Sequence, residues 1–202
     1  MESKHKEILQ RTIQLFMQYG IKSHTMDDIA AKLGMSKKTI YQFIKNKEDL
    51  VFQALSMFIE IQKQKFETIL KKPLNAIDQF ISINQEIGQH LKQTHPSVMF
   101  DVQKYYPEAW DLVRNFKNEF IAQLIKENLS KGISEGLYRN NINPEIVAFL
   151  YVSMADNLFN INHLSMKYSI VQLHRELVRY HIRAVANEKG ILHLQKTFNK
   201  TD

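Results

Sequence analysis

Residues that interrupt helices are rare in this chain, which has only six glycines and four prolines among its 202 residues. Folds built from many short strands need frequent turns, and glycine and proline are the main turn residues. Apolar residues recur with a helical period between these few breakers. The sequence therefore predicts an all-α fold of about nine helices, with no convincing strand and no internal repeat.

Local start and stop signals predict four helices in the first third of the chain. Thr25 with Asp28 forms a variant capping box, Ser36 and Asn46 are good N-caps, and Gly34 favours a helix end. Pro73 removes a backbone donor, so it ends the fourth helix. The predicted ranges are 4–19, 26–33, 37–43 and about 47–71.

Similar signals predict the later helices. One spans about 73–92, a short one follows Pro96, one runs from Pro107 to Lys131 before Gly132, one runs from Asn143 to about Leu164, and one runs from Ser169 to Asn187. The stretch GISEGLYRNNIN is predicted as a loop. The tail ILHLQKTFNKTD is expected to fray or to dock loosely.

Residues 26–45 have the packing pattern of a helix-turn-helix. Ala30 is small where two helix backbones approach, Gly34 permits the turn, and Ile40 fills the crossing. Ile40 and Phe43 are predicted to face inward, because they share one face of the third helix.

The segment from Lys32 to Lys47 contains five lysines and no acid, within a chain of net charge +6. If Ile40 and Phe43 face inward, polar and basic side chains face outward, where lysines could reach guanine acceptors and phosphates and Thr39 a thymine methyl. Ser36 and Lys37 lie at a helix N-terminus, whose amides also favour phosphate. A solvated lysine-rich face is the alternative, but it leaves the alanine, glycine and isoleucine spacing unexplained.

The string TMDDIAAKLGMSKKTIYQFIKNKEDL resembles the N-terminal DNA-binding domain of TetR-family transcriptional regulators, over about residues 4–55. The resemblance implies a helix-turn-helix domain at 1–50, joined by the long fourth helix to a helical effector-binding and dimerisation domain at 51–202. With the outward-facing pattern, it gives these candidate DNA contacts: Thr25, Ser36, Lys37, Lys38, Thr39, Tyr41, Gln42, Lys45 and Lys47. Phe43 stands where the family often has His or Tyr, so one phosphate contact is expected to be missing. Ile44 stands where Phe is usual, and Lys38 replaces a residue that is often small.

The implied function is a homodimeric repressor that reads a roughly palindromic operator and is released by a small apolar or aromatic effector. Two alternatives stay open: a DNA-binding regulator without an effector, and a helical enzyme or carrier, for which no catalytic pairing is evident. Because the last two long helices are apolar around much of their circumference, they are predicted to form the dimer interface.

The stretch MFDVQKYYPEAW is the most aromatic in the chain. Effector-binding candidates in and around it and on the penultimate long helix are Phe58, Phe100, Tyr105, Trp110, Phe116, Tyr151 and Met154. They could line a pocket, or they could pack as ordinary core. Trp110 and Tyr105 are favoured because their polar ends need partners when buried.

His174 and His181 are seven residues apart, so they share a helix face, and His163 might approach them. A two-histidine metal site is weighed against a surface or interface pair, and the second is preferred. The chain has no cysteine, so disulfides and thiolate metal sites are excluded. No cofactor or membrane span is expected, and a cytoplasmic location is predicted.

Overall fold

The computed structural model describes residues 2–158 and 167–198. As predicted, the fold is all-α; in the described part of the chain the only extended pairing is an isolated bridge between Tyr138 and Ala186. The helices are α1 (Glu2–Tyr19), α2 (Met26–Leu33), α3 (Lys37–Ile40), α4 (Lys47–Leu70), α5 (Ala76–Gln93), α6 (Ser97–Tyr105), α7 (Pro107–Asn115), α8 (Ala122–Ser134), α9 (Pro144–Asn157), α10 (Ile170–Val185) and α11 (Glu188–Phe198). A π-helical segment, Phe116–Ile121, lies between α7 and α8.

The first compact unit contains Met1–Lys65 and Gln93–Phe116. Its core is formed by apolar side chains of α1 to α4, together with Val98, Val102 and Ala109 of α6 and α7. The helix-turn-helix therefore shares one core with α6, which is distant from it in the sequence. The predicted division at residue 50 separates the chain by function, and it stays a prediction.

The second compact unit contains Phe66–Lys92 and Lys117–Asp202. In it α8 and α10 both pack against α9. Its buried polar groups are paired across helices: Asn128 Nδ2 donates to Ala76 O at 2.8 Å, and the Tyr138 hydroxyl donates to Asn128 Oδ1 at 3.1 Å. These bonds offset the cost of burying polar atoms in an apolar core.

The predicted helix from Pro107 to Lys131 is wrong in two respects. The π-helical segment interrupts it, and α8 continues through Gly132 to Ser134. Gly136, with φ +68°, follows instead, a backbone conformation that glycine adopts without strain. Gly132 serves packing, because a β-carbon there would lie only 2.1 Å from Cδ2 of Tyr138.

The expectation of a frayed tail is also wrong, since Glu188–Phe198 forms α11. Leu194 is buried, and His193 Nε2 lies 2.8 Å from Asp78 Oδ1 on α5. Two other boundaries differ or are open. α5 begins at Ala76 rather than at residue 73, and the predicted extension of α9 to Leu164 falls largely outside the described residues.

His174 and His181 are buried, so the preferred interpretation of a surface or interface pair is wrong. Burial disfavours the charged imidazolium and lowers the pKa of each side chain to about 4. Among the described residues no cluster of three His, Cys, Asp or Glu side chains could hold a metal ion, and His163 lies outside them. Both histidines are therefore neutral members of the core at neutral pH.

These two histidines predict how stability depends on pH. Their imidazoles have an ordinary pKa of about 6.5 in the unfolded chain but about 4 in the folded protein. The unfolded state therefore binds more protons between these values, so their contribution is complete above pH 6.5 and is lost as the pH falls towards 4. Each adds a slope of up to about 1.4 kcal/mol per pH unit to the free energy of unfolding.

Urea unfolding followed by circular dichroism at pH 7, 5.5 and 4.5 measures this slope. The double variant His174→Phe/His181→Phe should lose less stability on acidification than the wild type, with each single variant in between. A wild-type slope no steeper than that of the double variant would contradict the assignment.

Candidate nucleic-acid interface

The first helix of the helix-turn-helix, α2, is set by its N-cap. Thr25 Oγ1 accepts a hydrogen bond from Asp28 N at 3.2 Å, and Thr25 N donates to Asp28 Oδ2 at 2.8 Å. This is the capping box that the sequence predicted. Because the Asp28 carboxylate also accepts a hydrogen bond from the Thr25 hydroxyl, its pKa is lowered. The pairing fixes where α2 begins.

The turn between α2 and α3 depends on Gly34. Its φ and ψ are +64° and +34°, a left-handed conformation that disfavours other residues. Its N–H donates to Ala31 O, and Met35 N–H donates to Ala30 O, both at 3.0 Å. This hydrogen-bonding closes α2 and reverses the chain direction. α3 can then pack across α2, with Ile40 completely buried at the crossing.

α3 is shorter than predicted. Ser36 Oγ caps it by accepting from Thr39 N at 3.0 Å, but regular helix ends at Ile40 and turns follow to Phe43. The second inward residue is Ile44, which is buried, rather than Phe43. Phe43 is only partly buried, and its ring stacks on His5 with centroids 5.5 Å apart. Ile44 fills the inner position because the chain leaves regular helix after Ile40.

The predicted DNA-contacting side chains form a surface that we call the basic face. Exposed members are Thr25, Ser36, Lys37, Lys38, Tyr41, Gln42 and Lys45, while Thr39 and Lys47 are partly buried. With Ile40 fully buried beneath them, the side chains at Lys37, Lys38 and Tyr41 stand on the solvent side of α3. This arrangement defines the chain as a helix-turn-helix DNA-binding protein.

One lysine of the basic face has a carboxylate partner. Lys37 Nζ lies 2.7 Å from Asp27 Oδ1, near the start of α2, and this hydrogen bond raises the pKa of the lysine. Both side chains are well exposed, so solvent screens the pair and it can exchange easily. Lys37 must leave Asp27, or share it, in order to contact DNA.

Lys47 is tied to the loop between α1 and α2. Its Nζ donates to Lys22 O at 3.3 Å, and partial burial lowers the pKa of its ammonium group. Asp49 accepts a hydrogen bond from the backbone N of Lys45 at 2.7 Å, while Asn46 Oδ1 accepts from Asp49 N as the predicted cap. The start of α4 thus holds the chain immediately after the basic face.

Asp101, on α6, was missed by the sequence analysis. Its buried carboxylate accepts hydrogen bonds at Oδ2 from the backbone N–H groups of Ile21 and Lys22, both at 3.1 Å, and from Ser97 Oγ at 3.2 Å. Together with Lys47 it holds the Lys22 peptide from both sides. The only sequence signal is an acid within an aromatic stretch, and no local rule relates it to a loop 80 residues earlier.

The structure does not gather the effector candidates around one site. In the first unit, Phe100 is 56% exposed, and Tyr105 accepts a hydrogen bond from Lys22 Nζ at 2.8 Å. Trp110 packs partly buried against the core of that unit, and Phe58 and Phe116 are also partly buried. Tyr151 and Met154 belong to the second unit, where Tyr151 is buried and Met154 is partly buried. Their role in ligand binding stays a prediction.

Comparisons with known proteins agree with the geometry. The family profile described as "Bacterial regulatory proteins, tetR family" matches residues 8–54. The uncharacterized HTH-type transcriptional regulator YvaF of Bacillus subtilis is 29% identical over 157 residues, which cover 77% of this chain and 80% of that protein. The HTH-type transcriptional repressor KstR2 of Mycolicibacterium smegmatis is 23% identical over 152 residues, 72% of each chain.

The fold has close counterparts among solved structures. A transcriptional regulator from Saccharomonospora viridis, crystallised in complex with choline, superposes with a TM-score of 0.71 over 93% of this chain and 100% of that chain, at 17% identity. The chain belongs to the TetR family of bacterial transcriptional regulators. These relatives are regulators and not enzymes, as the sequence analysis expected. Within the described residues no helix combines the length and the apolar character needed to cross a bilayer.

Asp101 gives a prediction about DNA binding without itself touching DNA. Asp101→Ala leaves the amides of Ile21 and Lys22 without their acceptor, which should lower the free energy of unfolding by roughly 1–3 kcal/mol. It should also weaken duplex binding, because the loop that positions α2 and Lys47 is released.

Urea unfolding and fluorescence anisotropy with a duplex selected by the wild-type protein from a random pool measure the two effects. Asp111→Ala, on the exposed side of α7, changes the charge equally and should change neither quantity. Asp101→Asn keeps an acceptor oxygen and should recover part of both. Unchanged affinity in Asp101→Ala would contradict the positioning role.

Proposed function

We propose that this protein is a repressor that binds an inverted-repeat operator as a homodimer and is released by a small effector. The observation that carries the proposal is the basic face, in which Lys37, Lys38 and Tyr41 stand outward while Ile40 is fully buried. The KstR2 relatives, named as repressors, support negative regulation.

The basic face suits entry into a major groove. An α-helix fits this groove, and lysines at its first turn can reach the N7 and O6 acceptors of guanine. On this proposal Lys37, Lys38 and Thr39 approach base edges, while Tyr41, Lys45 and Lys47 approach the flanking phosphates. Thr25 and Ser36 lie at the starts of α2 and α3, where hydroxyl groups can contact the backbone of DNA.

Removing cations from the basic face tests DNA binding. In a plot of log affinity against log salt concentration, each lost phosphate contact should reduce the slope by about 0.9, and so by about 1.8 in a symmetric dimer. Lys45→Ala should show this change, Tyr41→Phe should weaken binding without changing the slope, and Lys38→Ala should also relax the base preference. Anisotropy titrations on the selected duplex at several salt concentrations measure these effects.

The matched control is Lys71→Ala, which removes an exposed lysine outside the helix-turn-helix. It should leave both affinity and slope close to the wild-type values. The contact assignment fails if Lys38→Ala and Tyr41→Phe bind the duplex as tightly as the wild type.

The proposed dimer rests on α9. Ala148, Tyr151 and Val152 are buried on one side, whereas Ile146, Phe149 and Leu150 are exposed on the other. Phe149 is 68% exposed, an unusual position for a large apolar ring. A helix apolar on both sides needs a second partner, and a copy of the same helix related by a twofold axis supplies one. α10 contributes less than the sequence suggested, because most of its apolar residues face the core.

A dimer also increases the amount of DNA that is read. One α3 contacts only a few bases, whereas two copies can bind half-sites about 34–36 Å apart and so recognise a palindrome.

Introducing charge into this surface tests the dimer. Phe149→Glu would place two carboxylates against each other at the proposed interface, so the variant should be monomeric in sedimentation equilibrium at concentrations where the wild type is dimeric. It should bind a single half-site weakly and the full palindrome no better. Leu192→Glu is the control, because Leu192 is similarly exposed on α11 but lies outside the proposed interface. A dimeric Phe149→Glu protein would contradict this interface.

Release by an effector is supported by the family and by the choline complex of the structural neighbour. A ligand can release DNA only if it binds the DNA-free conformation more tightly than the bound one. A regulator without an effector is the second candidate, because the aromatic side chains proposed from the sequence are divided between two units. Operator titrations with and without added compounds separate the two candidates.

A further inference from the structure

The core of the second unit contains a row of polar groups that DNA binding and dimerisation do not use. We call it the polar seam: Asn84 and Gly88 on α5, Tyr151 on α9, and His174 and His181 on α10. Asn84, Tyr151 and both histidines are buried. Burying four polar side chains in one helical core is costly unless each finds a partner.

Two of these residues are partners of each other. The Tyr151 hydroxyl donates to Asn84 Oδ1 at 2.9 Å, and Asn84 Nδ2 donates to Phe80 O at 2.9 Å. The hydrogen-bonding capacity of this pair is therefore largely used inside the protein.

His181 differs, because its Nε2 is buried and makes no hydrogen bond. The side chain is only 3% exposed. Its ring lies between two aromatic neighbours, with its centroid 4.8 Å from that of Phe80 and 4.6 Å from that of Tyr151. The protein thus holds a rigid imidazole in an aromatic environment and leaves one nitrogen unsatisfied, at a cost that a bound molecule could recover.

Gly88 provides space at the other end of the seam. A glycine within a helix costs roughly 1 kcal/mol relative to alanine, so it usually has a packing reason. Gly132 has one, since a β-carbon there would collide with the Tyr138 ring. Gly88 does not, because a β-carbon there would meet only Nδ1 of His174, at 4.0 Å. The absent side chain leaves room beside His174.

Helix geometry relates the two ends. Phe80, Asn84 and Gly88 are four residues apart and form one stripe of α5, and His174 and His181 lie two turns apart on one face of α10. Gly88 lies opposite His174, and Phe80 lies opposite His181. The seam is therefore about 10 Å long, which suits an elongated molecule better than a single small ring.

We propose that the polar seam binds the effector, and that the effector is an uncharged, elongated ring compound whose hydroxyl or carbonyl group bonds to Nε2 of His181. This inference rests on the proposed function for the existence of an effector. Of the sequence candidates it retains Tyr151, and Met154 on the same face of α9.

Charge excludes other ligand classes. Burial keeps the pKa of both histidines near 4 and raises that of Tyr151, so these groups are neutral at pH 7. A carboxylate or an ammonium group would lose its hydration here without gaining an opposite charge from the seam. A neutral imidazole can donate or accept, so it fits either a hydroxyl or a carbonyl.

Three matched probes test the site: 4-phenylphenol, biphenyl and 4-phenylbenzoate share a two-ring frame and differ in one substituent. Isothermal titration calorimetry at pH 7 should show saturable binding of one 4-phenylphenol per chain, weaker binding of biphenyl and none of 4-phenylbenzoate. His181→Phe keeps an aromatic ring between Phe80 and Tyr151 but removes the nitrogen, and it should weaken 4-phenylphenol about tenfold while leaving biphenyl unchanged.

Two further variants separate binding from folding. Gly88→Leu fills the space and should abolish binding of both neutral probes, whereas Gly88→Ala should retain it and raise the thermal midpoint. His193→Phe, the same exchange elsewhere in the second unit, should bind 4-phenylphenol as the wild type does. Circular dichroism melting of each variant shows whether it is folded at the titration temperature.

Operator binding in the same samples distinguishes this inference from the proposed function. Failure of 4-phenylphenol to bind the wild type, or equal binding by wild type and His181→Phe, would overturn the seam while the DNA-binding function stands. Binding at the seam that leaves operator affinity unchanged would overturn its role as the effector site. Weaker operator binding in the presence of 4-phenylphenol, lost in Gly88→Leu, is the result expected.

Discussion

The packing of Ile40 against α2 is the contact on which the DNA-binding surface depends. Ile40 is completely buried, and the left-handed turn at Gly34 allows α3 to cross α2 at the point where Ala30 is small. Once Ile40 is inside, helix geometry leaves the adjacent lysines and Tyr41 no position except the solvent side. The orientation of the basic face is thus a consequence of apolar burial, and the charges themselves contribute little to it.

Electrostatics has a different role on this face. The Lys37–Asp27 pair is exposed and contributes little to stability, but it determines which lysines are available before DNA arrives. Lys47 is held by a backbone carbonyl of the loop between α1 and α2, and the same loop is held by Asp101. Contacts around one peptide group therefore connect α4, α6 and the helix-turn-helix within the first unit.

The sequence was most informative where structure is determined locally. The caps at Thr25, Ser36, Asn46, Asn143 and Ser169 all form as predicted, because each depends on residues within one helical turn. The errors have non-local causes. Gly132 is required by the ring of Tyr138, α11 is held by Asp78 of α5, and the burial of the two histidines depends on α5 and α9. Likewise, nothing near Asp101 in the sequence indicates that its partners are Ile21 and Lys22.

The same principle applies to the site. The residues of the basic face could be predicted, because a short motif carries both the packing and the exposed side chains. The effector candidates could not be selected in this way, because aromatic composition alone does not distinguish a pocket from a core. An unsatisfied nitrogen and an unexplained helical glycine are more specific signals, but both require coordinates.

The attachment of the α1–α2 loop to α6 has a practical consequence. Since the amide protons of Ile21 and Lys22 are held by one side chain of a different helix, their rates of exchange with heavy water report whether α6 is in place. Two backbone signals in the first unit thus form a built-in spectroscopic reporter, readable without a dye, without an operator and before any inducer has been identified.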